Sequence, residues 1–194
     1  QDLDVEIDTG QFGRVRVDVA YGGCFYGVID VDQVGLTIEP KNAQKLMQAG
    51  TYLLTELMQK VAVQHPELPQ INQFSYVMFR DIQGKTVRTC TVLKPGRVDR
   101  SPCGTGSSAN LATMHARGLV RPGDVLTSQS IIGSTFKVEC LGETMVGNRP
   151  AVLPRVTGRA WVYGLSQLGI DPSDPFPRGF ALSDTWGPYV DELQ

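Results

Sequence analysis

The sequence has no run of basic residues. Its 18 lysines and arginines are outnumbered by 20 aspartates and glutamates, for a formal net charge of −2. That balance argues against a nucleic-acid partner, whose phosphates call for a basic face. No apolar stretch approaches the length of a membrane span, so no membrane partner is expected, and no signal peptide is visible. The first residue is Gln1 and not Met. The chain is therefore expected to start inside a longer polypeptide or after processing, and the missing targeting signal says little. Internal repeats, low-complexity linkers and a Walker A loop are all absent. Cysteine is limited to four residues, Cys24, Cys90, Cys103 and Cys140. None forms a CxxC pair and none stands at metal-ligand spacing from a histidine. A disulfide scaffold of this length would carry more, so all four read as reduced thiols in a cytoplasmic protein. The default role of each is a small buried hydrophobe.

What is present is ordinary for a soluble globular chain: 194 residues, 41% hydrophobic and 20% charged, enough for one domain with a real core or one domain plus a piece of another. Leu3, Val5 and Ile7 alternate with charges, a glycine-containing turn follows, and Val15, Val17 and Val19 alternate again; this predicts a β-hairpin. Tyr21-Gly22-Gly23 breaks the chain before a short strand over 25–31. Ala43, Leu46, Met47, Leu53, Leu54, Leu57, Met58 and Val61 recur at spacings of three and four, which predicts a helix with Pro40 in its first turn. Gly50 interrupts it at a cost of about 1 kcal/mol. Strands are expected at 74–79, 86–93, 125–128, 131–140 and 158–164, and a second helix over 104–117 closed by Gly118. The tail from Asp171 is rich in proline and aromatics, including Phe176, Phe180 and Trp186. Strands and helices do not alternate regularly, so the expected class is α+β.

Chemistry concentrates in Asp99-Arg100-Ser101-Pro102-Cys103-Gly104-Thr105-Gly106-Ser107-Ser108-Ala109-Asn110, a polar glycine-rich loop that runs into a helix. The first amides of a helix lack intrahelical partners and its dipole is positive there, so the junction suits an anion. A thiol at such a place is expected to react as thiolate. Asp99 offers a partner for a cation. One stretch thus supplies a carboxylate cradle, an ammonium partner and an activated sulfur, the three contacts an amino-acid substrate needs. Gly104-x-Gly106-x-x-Ala109 superficially fits a dinucleotide fingerprint, but no hydrophobic strand precedes it and Asp124 sits in an Arg-Pro-Gly-Asp turn. A cysteine hydrolase would need a histidine beside Cys103. His115 lies twelve residues along the same helix, about 18 Å away at 1.5 Å per residue, and His65 sits in a proline-rich loop. On the pattern alone, a purely structural glycine-rich helix start stays open.

The segment from Asp99 to Gly106 resembles the second cysteine motif of the proline racemase family. The same order of stretches continues through Ala20-Tyr21-Gly22-Gly23 with Phe25-Tyr26, Val63-Gln64-His65-Pro66-Glu67-Leu68-Pro69, Ser130-Ile131-Ile132-Gly133-Ser134 with Phe136, Gly158-Arg159-Ala160, and Asp171-Pro172-Ser173-Asp174-Pro175-Phe176 with Gly179-Phe180. The resemblance implies one lobe of a two-lobe fold shared with diaminopimelate epimerase, a β-barrel-like sheet around a central helix, here the helix after Cys103. Residues 1–157 would form the second lobe, and 158–194 would return to a first lobe that this chain lacks. The family's first catalytic cysteine lies in a Cys-Gly-His motif, which does not occur here.

The resemblance also implies a reaction. Family members invert an amino-acid α-carbon with a thiolate and a thiol on opposite faces, without pyridoxal phosphate, metal or other cofactor. Cys103 would serve one face, the amides of Gly104, Thr105 and Gly106 the carboxylate, and Asp99 the ring ammonium. Relatives that dehydrate 3-hydroxyproline carry threonine where Cys103 stands, which argues against that branch. Proline racemases of the family have pocket phenylalanines at the positions of Leu93 and Tyr26. A smaller wall and a phenol both suit a hydroxylated ring, so the expectation is a 4-hydroxyproline 2-epimerase, with proline racemase and a non-catalytic amino-acid-binding module as alternatives. The expected partners are the small-molecule substrate and the N-terminal lobe of the same protein, with room left for a homodimer.

Overall fold

The computed structural model describes residues 2–179. By contacts the chain divides into Gln1–Arg159 and Ala160–Gln194. The first unit is α+β. It holds β1 (Asp2–Thr9), β2 (Gly13–Tyr21), β3 (Phe25–Asp30), α1 (Ala43–Lys60), β4 (Phe74–Gln83), β5 (Thr86–Leu93), β6 (Arg97–Val98), α2 (Gly104–Ala116), β7 (Val125–Ser130), β8 (Thr135–Val146) and β9 (Arg149–Thr157). The strands form one sheet in the order β1-β2-β3-β4-β5-β7-β8-β9, with β6 paired to the last two residues of β5. Two neighbouring pairs are parallel, β3 with β4 and β5 with β7. Parallel neighbours require a crossover connection, and the two crossovers carry α1 and α2.

Alternation along the strands sends side chains to two faces. Val15, Val17, Val19, Ile29, Val77, Phe79 and Val92 face α1 and bury Leu46, Leu53, Leu54 and Leu57 against them. The glycine in the middle of α1 has a physical reason: a Cβ on Gly50 would lie 2.5 Å from Val92 Cγ2. The opposite face belongs to α2. Ala20, Tyr26, Val28 and Met78 meet Cys103 and Ala109 at the start of that helix, and Val87, Leu126, Val138 and Cys140 meet Leu111 and Met114 further along. α2 is buried nearly all round, including Ser107, Asn110 and Thr113. Its low amphipathicity follows, because a helix buried on every side has no polar face to show.

The sheet curls around α2 without closing. α2 touches β2 and β3 near one end of the sheet and β8 and β9 near the other. The edge strands β1 and β9 approach through the Arg149–Asp2 ion pair (3.0 Å) and share no ladder of hydrogen bonds. The expected lobe is thus an open, curled sheet and not a closed barrel.

A buried charge cluster ties α2 to the sheet. Arg80 on β4, 2% exposed, donates to Asp30 (2.6 Å), Asp18 (2.8 Å), Asn110 Oδ1 (3.2 Å) and Thr113 Oγ1 (2.9 Å). Arg117, just past the helix, donates to Asp18 and Asp4. Burying these groups is tolerable because each has partners; removing one partner of such a cluster typically costs about 3–5 kcal/mol.

Two strand expectations need correction. Residues 158–164 have no regular secondary structure, and the last strand is instead β9, which contains Pro150 and Pro154. Proline cannot donate to a ladder and so discourages a strand reading; β9 tolerates both because it lies at the sheet edge. Ile131 to Ser134 form a turn between β7 and β8, closed by hydrogen bonds between Ser130 and Ser134. From 160 to 179 the chain has no helix or strand, and Val162, Leu165, Leu168 and Ile170 are exposed. Phe180 and Trp186 lie outside the described residues. Among the described residues, no helix is long and apolar enough to cross a membrane.

Candidate active site

The path of the chain after β5 sets the position of Cys103. The first half of β5 pairs with β7 and its last two residues pair with β6. Between these neighbours the chain leaves the sheet, and its side chains fold back to hold it. The Asp99 amide donates to the Thr91 carbonyl (2.9 Å). The Ser101 amide donates to Asp99 Oδ1 (2.8 Å), and the Cys103 amide to Ser101 Oγ (3.1 Å). The Pro102 carbonyl accepts from the Ser107 hydroxyl (3.2 Å) and the Thr89 hydroxyl (3.4 Å).

This bracing holds a strained residue. Cys103, the N-cap of α2, has φ 64° and ψ 113°. L-residues rarely adopt such a backbone, which costs of order 1–3 kcal/mol and persists only where the surroundings over-determine it. The strain turns the thiol inward. Cys103 Sγ lies 3.3 Å from the Tyr26 hydroxyl, and that hydroxyl lies 2.7 Å from Thr105 Oγ1. Gly106 makes room for the pair: a Cβ there would stand 3.1 Å from Sγ, 3.2 Å from Tyr26 Cε1 and 2.3 Å from Met78 Cε.

No side chain caps α2, so the amides of Gly104, Thr105 and Gly106 keep unspent donors at the positive end of the helix. Gly104 and Thr105 are exposed, while Cys103 is 9% exposed. Burial raises the pKa of the Tyr26 phenol, and the neighbouring sulfur adds to the rise. Burial likewise pushes Cys90 up to about 12, aided by the charge of Asp99.

The residues singled out from the sequence thus fall into two groups. Tyr26, Cys103 and Thr105 touch one another. Asp99 stands on the loop, half-exposed, with one carboxylate oxygen on the Ser101 amide. Leu93 is one strand further away, opposite Tyr76 in the β4–β5 register. Tyr76 was not singled out. It pairs with Tyr26 in the β3–β4 register and their rings are 5.4 Å apart. Tyr26, Tyr76 and Leu93 therefore make a row across three adjacent strands on the Cys103 face. Only the strand registers reveal this; the alternation of β4 alone could not say which face it shares with Tyr26.

A separate cleft of about 300 Å³ opens where the curled sheet fails to close, with Val19, Tyr21, His65, Ala112, Pro150 and Val152 among its lining residues. Cys103 does not line it.

A family profile described as "Proline racemase" matches residues 1–181. The chain belongs to the proline racemase family. It is 55% identical over 193 residues to the 4-hydroxyproline 2-epimerase of Rhizobium etli and 54% identical to 4-hydroxyproline 2-epimerase 1 of Rhizobium rhizogenes. In each case 99% of this chain is covered and 56% of the relative, so the chain spans little more than half the length of these curated relatives. Among solved structures, a hydroxyproline epimerase from Agrobacterium vitis with bound trans-4-hydroxy-L-proline matches with a TM-score of 0.82 and 52% identity, over 100% of this chain and 56% of that one. A probable proline racemase from Agrobacterium radiobacter K84 with bound carbonate gives the same TM-score at 54% identity, over 99% of this chain and 57% of that one.

Two stretches that this member of the proline racemase family shares with its relatives by resemblance have visible physical tasks. Gly22, in the turn after β2, lies against the first turn of α2: a Cβ there would stand 2.1 Å from the Thr105 carbonyl oxygen and 2.7 Å from the Ala109 nitrogen. His65 organises the loop before β4. Its Nδ1 accepts from the amides of Glu67 (3.2 Å) and Leu68 (3.1 Å), and its ring meets Tyr21 edge-on at 4.7 Å. That Nδ1 is therefore committed to the loop. His115 pairs with Glu143 (3.0 Å) near the end of α2 remote from Cys103.

Proposed function

We propose that this chain is the part of a cofactor-independent 4-hydroxyproline 2-epimerase that carries one of its two acid/base thiols, Cys103. The observation that carries the reading is the start of α2: a sulfur held at the N-cap of a helix that no side chain caps and whose first two residues, Gly104 and Thr105, are exposed. A substrate carboxylate on the amides of Gly104, Thr105 and Gly106 would bring the α-carbon to the sulfur, and the same amides would stabilise charge as that carbon becomes carbanionic. Asp99 would hold the ring ammonium, which keeps the α-proton acidic.

Inversion needs a proton removed from one face and a proton delivered to the other. With Cys103 as thiolate, its sulfur takes the α-proton and becomes a thiol. A second thiol on the opposite face gives up its proton to the carbanion and becomes a thiolate. In the reverse direction the two exchange roles. The second thiol comes, in this reading, from the portion of the relatives' length that this chain does not span. Residues 1–157 form the Cys103 lobe, and 158–194 return to the absent lobe; the exposed Val162, Leu165, Leu168 and Ile170 supply an apolar surface for that contact. The reading includes a reducing cytoplasmic setting, a small-molecule substrate, and no nucleic-acid or membrane partner, with room left for a homodimer.

Preference for a hydroxylated ring rests on the row of Tyr26, Tyr76 and Leu93. Leucine leaves more space than an aromatic wall. The names of the relatives favour the epimerase, while the probable proline racemase among the similar structures keeps proline as the competing substrate. The test is α-carbon epimerisation of trans-4-hydroxy-L-proline and of L-proline by the longer protein. Preference for L-proline would replace the epimerase reading by proline racemase. Binding of either without turnover would leave an amino-acid-binding module.

A further inference from the structure

The Tyr26 hydroxyl is placed by resemblance beside the substrate ring, yet it is spent inside the protein. The side chain is 0% exposed. Its oxygen lies 3.3 Å from Cys103 Sγ and 2.7 Å from Thr105 Oγ1, while Thr105 Oγ1 is 3.9 Å from the sulfur. The hydrogens in this triangle can be counted. With the thiol protonated the triangle holds three hydrogens for three heavy atoms, and the bonds can run in either direction. A thiolate brings none and can only accept. The closest hydroxyl to it is Tyr26, at 3.3 Å against 3.9 Å for Thr105, so the Tyr26 hydrogen is the one best placed to point at sulfur. The Tyr26 oxygen is left to accept, and Thr105, at 2.7 Å, has the one hydrogen to give. Ionisation of Cys103 therefore favours a one-way chain from Thr105 to Tyr26 to sulfur.

The surroundings make this arrangement specific. The unusual backbone of Cys103 turns the sulfur towards the phenol, and the bare Cα of Gly106 lets the two approach. Burial raises the pKa of the phenol and so favours its protonated, donating form. We propose that Tyr26 is a positioning residue for Cys103, donating its hydroxyl hydrogen to the ionised sulfur with Thr105 donating behind it, and so sets the pH at which this thiol becomes reactive. The inference rests on the reading of Cys103 as the acid/base group, but its test needs neither substrate nor turnover.

The measurement is the pH dependence of iodoacetamide alkylation at Cys103, followed by peptide mass mapping of the 194-residue chain, with circular dichroism of each variant to establish that it is folded. A hydrogen bond to a charged group strengthens the charged form, so Tyr26→Phe should move the Cys103 midpoint up by about one pH unit. Thr105→Val should move it in the same direction by less, and Thr105→Ser should restore the wild-type midpoint. A folded Tyr26→Phe chain whose midpoint stays within about 0.3 pH unit of wild type overturns the proposal. If Tyr26→Phe does not fold, the exposed Thr105 decides: an unshifted Thr105→Val overturns the proposal, and a shift reversed by Thr105→Ser supports it. A chain that shows these shifts and whose longer form never epimerises keeps this inference and loses the proposed function.

Discussion

Replacing Gly22 by alanine adds a single methyl group where the turn after β2 rests on α2. That carbon would stand 2.1 Å from the Thr105 carbonyl oxygen and 2.7 Å from the Ala109 nitrogen. In an α-helix these two atoms belong to one hydrogen bond, donated by residue 109 to residue 105. Both are backbone atoms, so neither can swing aside as a side-chain tip would. Either the turn lifts off α2 or the first turn of the helix opens. Overpacking of this kind costs about 1–3 kcal/mol, and the loss of glycine's freedom in the unfolded chain returns roughly 0.4–1 kcal/mol. Against rigid backbone atoms the upper end of that cost applies, and a net loss of about 2 kcal/mol would lower Tm by roughly 4–8 °C for a domain of this size. Gly104→Ala is the control, because nothing lies within 4 Å of its added carbon; its Tm should hold or rise by a few degrees. Thermal unfolding followed by circular dichroism reads the stability, and hydrogen exchange reads the local effect. The Ala109 amide should lose protection in Gly22→Ala while amides of β4 and β5 keep theirs. An unchanged Tm together with full protection of Ala109 would refute the claim that this glycine seats the helix carrying Cys103.

With limiting iodoacetamide near neutral pH, Cys103 should be labelled well before Cys90 and Cys140. Burial pushes Cys90 up to about 12 and Cys140 is 0% exposed; early labelling of either by peptide mapping would count against the assignment. In the longer protein, Leu93→Phe should reduce the kcat/KM preference for trans-4-hydroxy-L-proline over L-proline by about 10- to 200-fold, the range expected when only space changes in an apolar pocket. Tyr76→Phe in the same assay asks whether the middle of the row offers the ring a hydroxyl. A larger loss of preference there than in Leu93→Phe would move the specificity argument from space to hydrogen bonding.

The elements built on period were legible in the sequence. The stripe from Ala43 to Val61 gives α1, and Gly118 marks the end of α2 within a residue or two. β9 was hidden because Pro150 and Pro154 argue against a strand, and only its place at the sheet edge makes them harmless. The site was legible as a local pattern: glycines, a thiol and a helix start within twelve residues. Its long-range part was not. Tyr26 and Cys103 are 77 residues apart, and nothing local says where a tyrosine hydroxyl will point once a strand and a helix are packed together. Tyr76 was missed for the same reason, since its neighbours are fixed by the β3–β4 and β4–β5 registers.

The central claim is that Cys103 provides one of two thiols and that the other lies outside this chain. The most direct measurement is deuterium incorporation at the α-carbon of trans-4-hydroxy-L-proline in D₂O, read by proton NMR. Three samples suffice: the 194-residue chain, the longer protein, and the longer protein with Cys103→Ser. The account predicts exchange with epimerisation in the longer protein alone, and none in the other two. Epimerisation by the isolated chain, or by the folded Cys103→Ser protein at an undiminished rate, would contradict it.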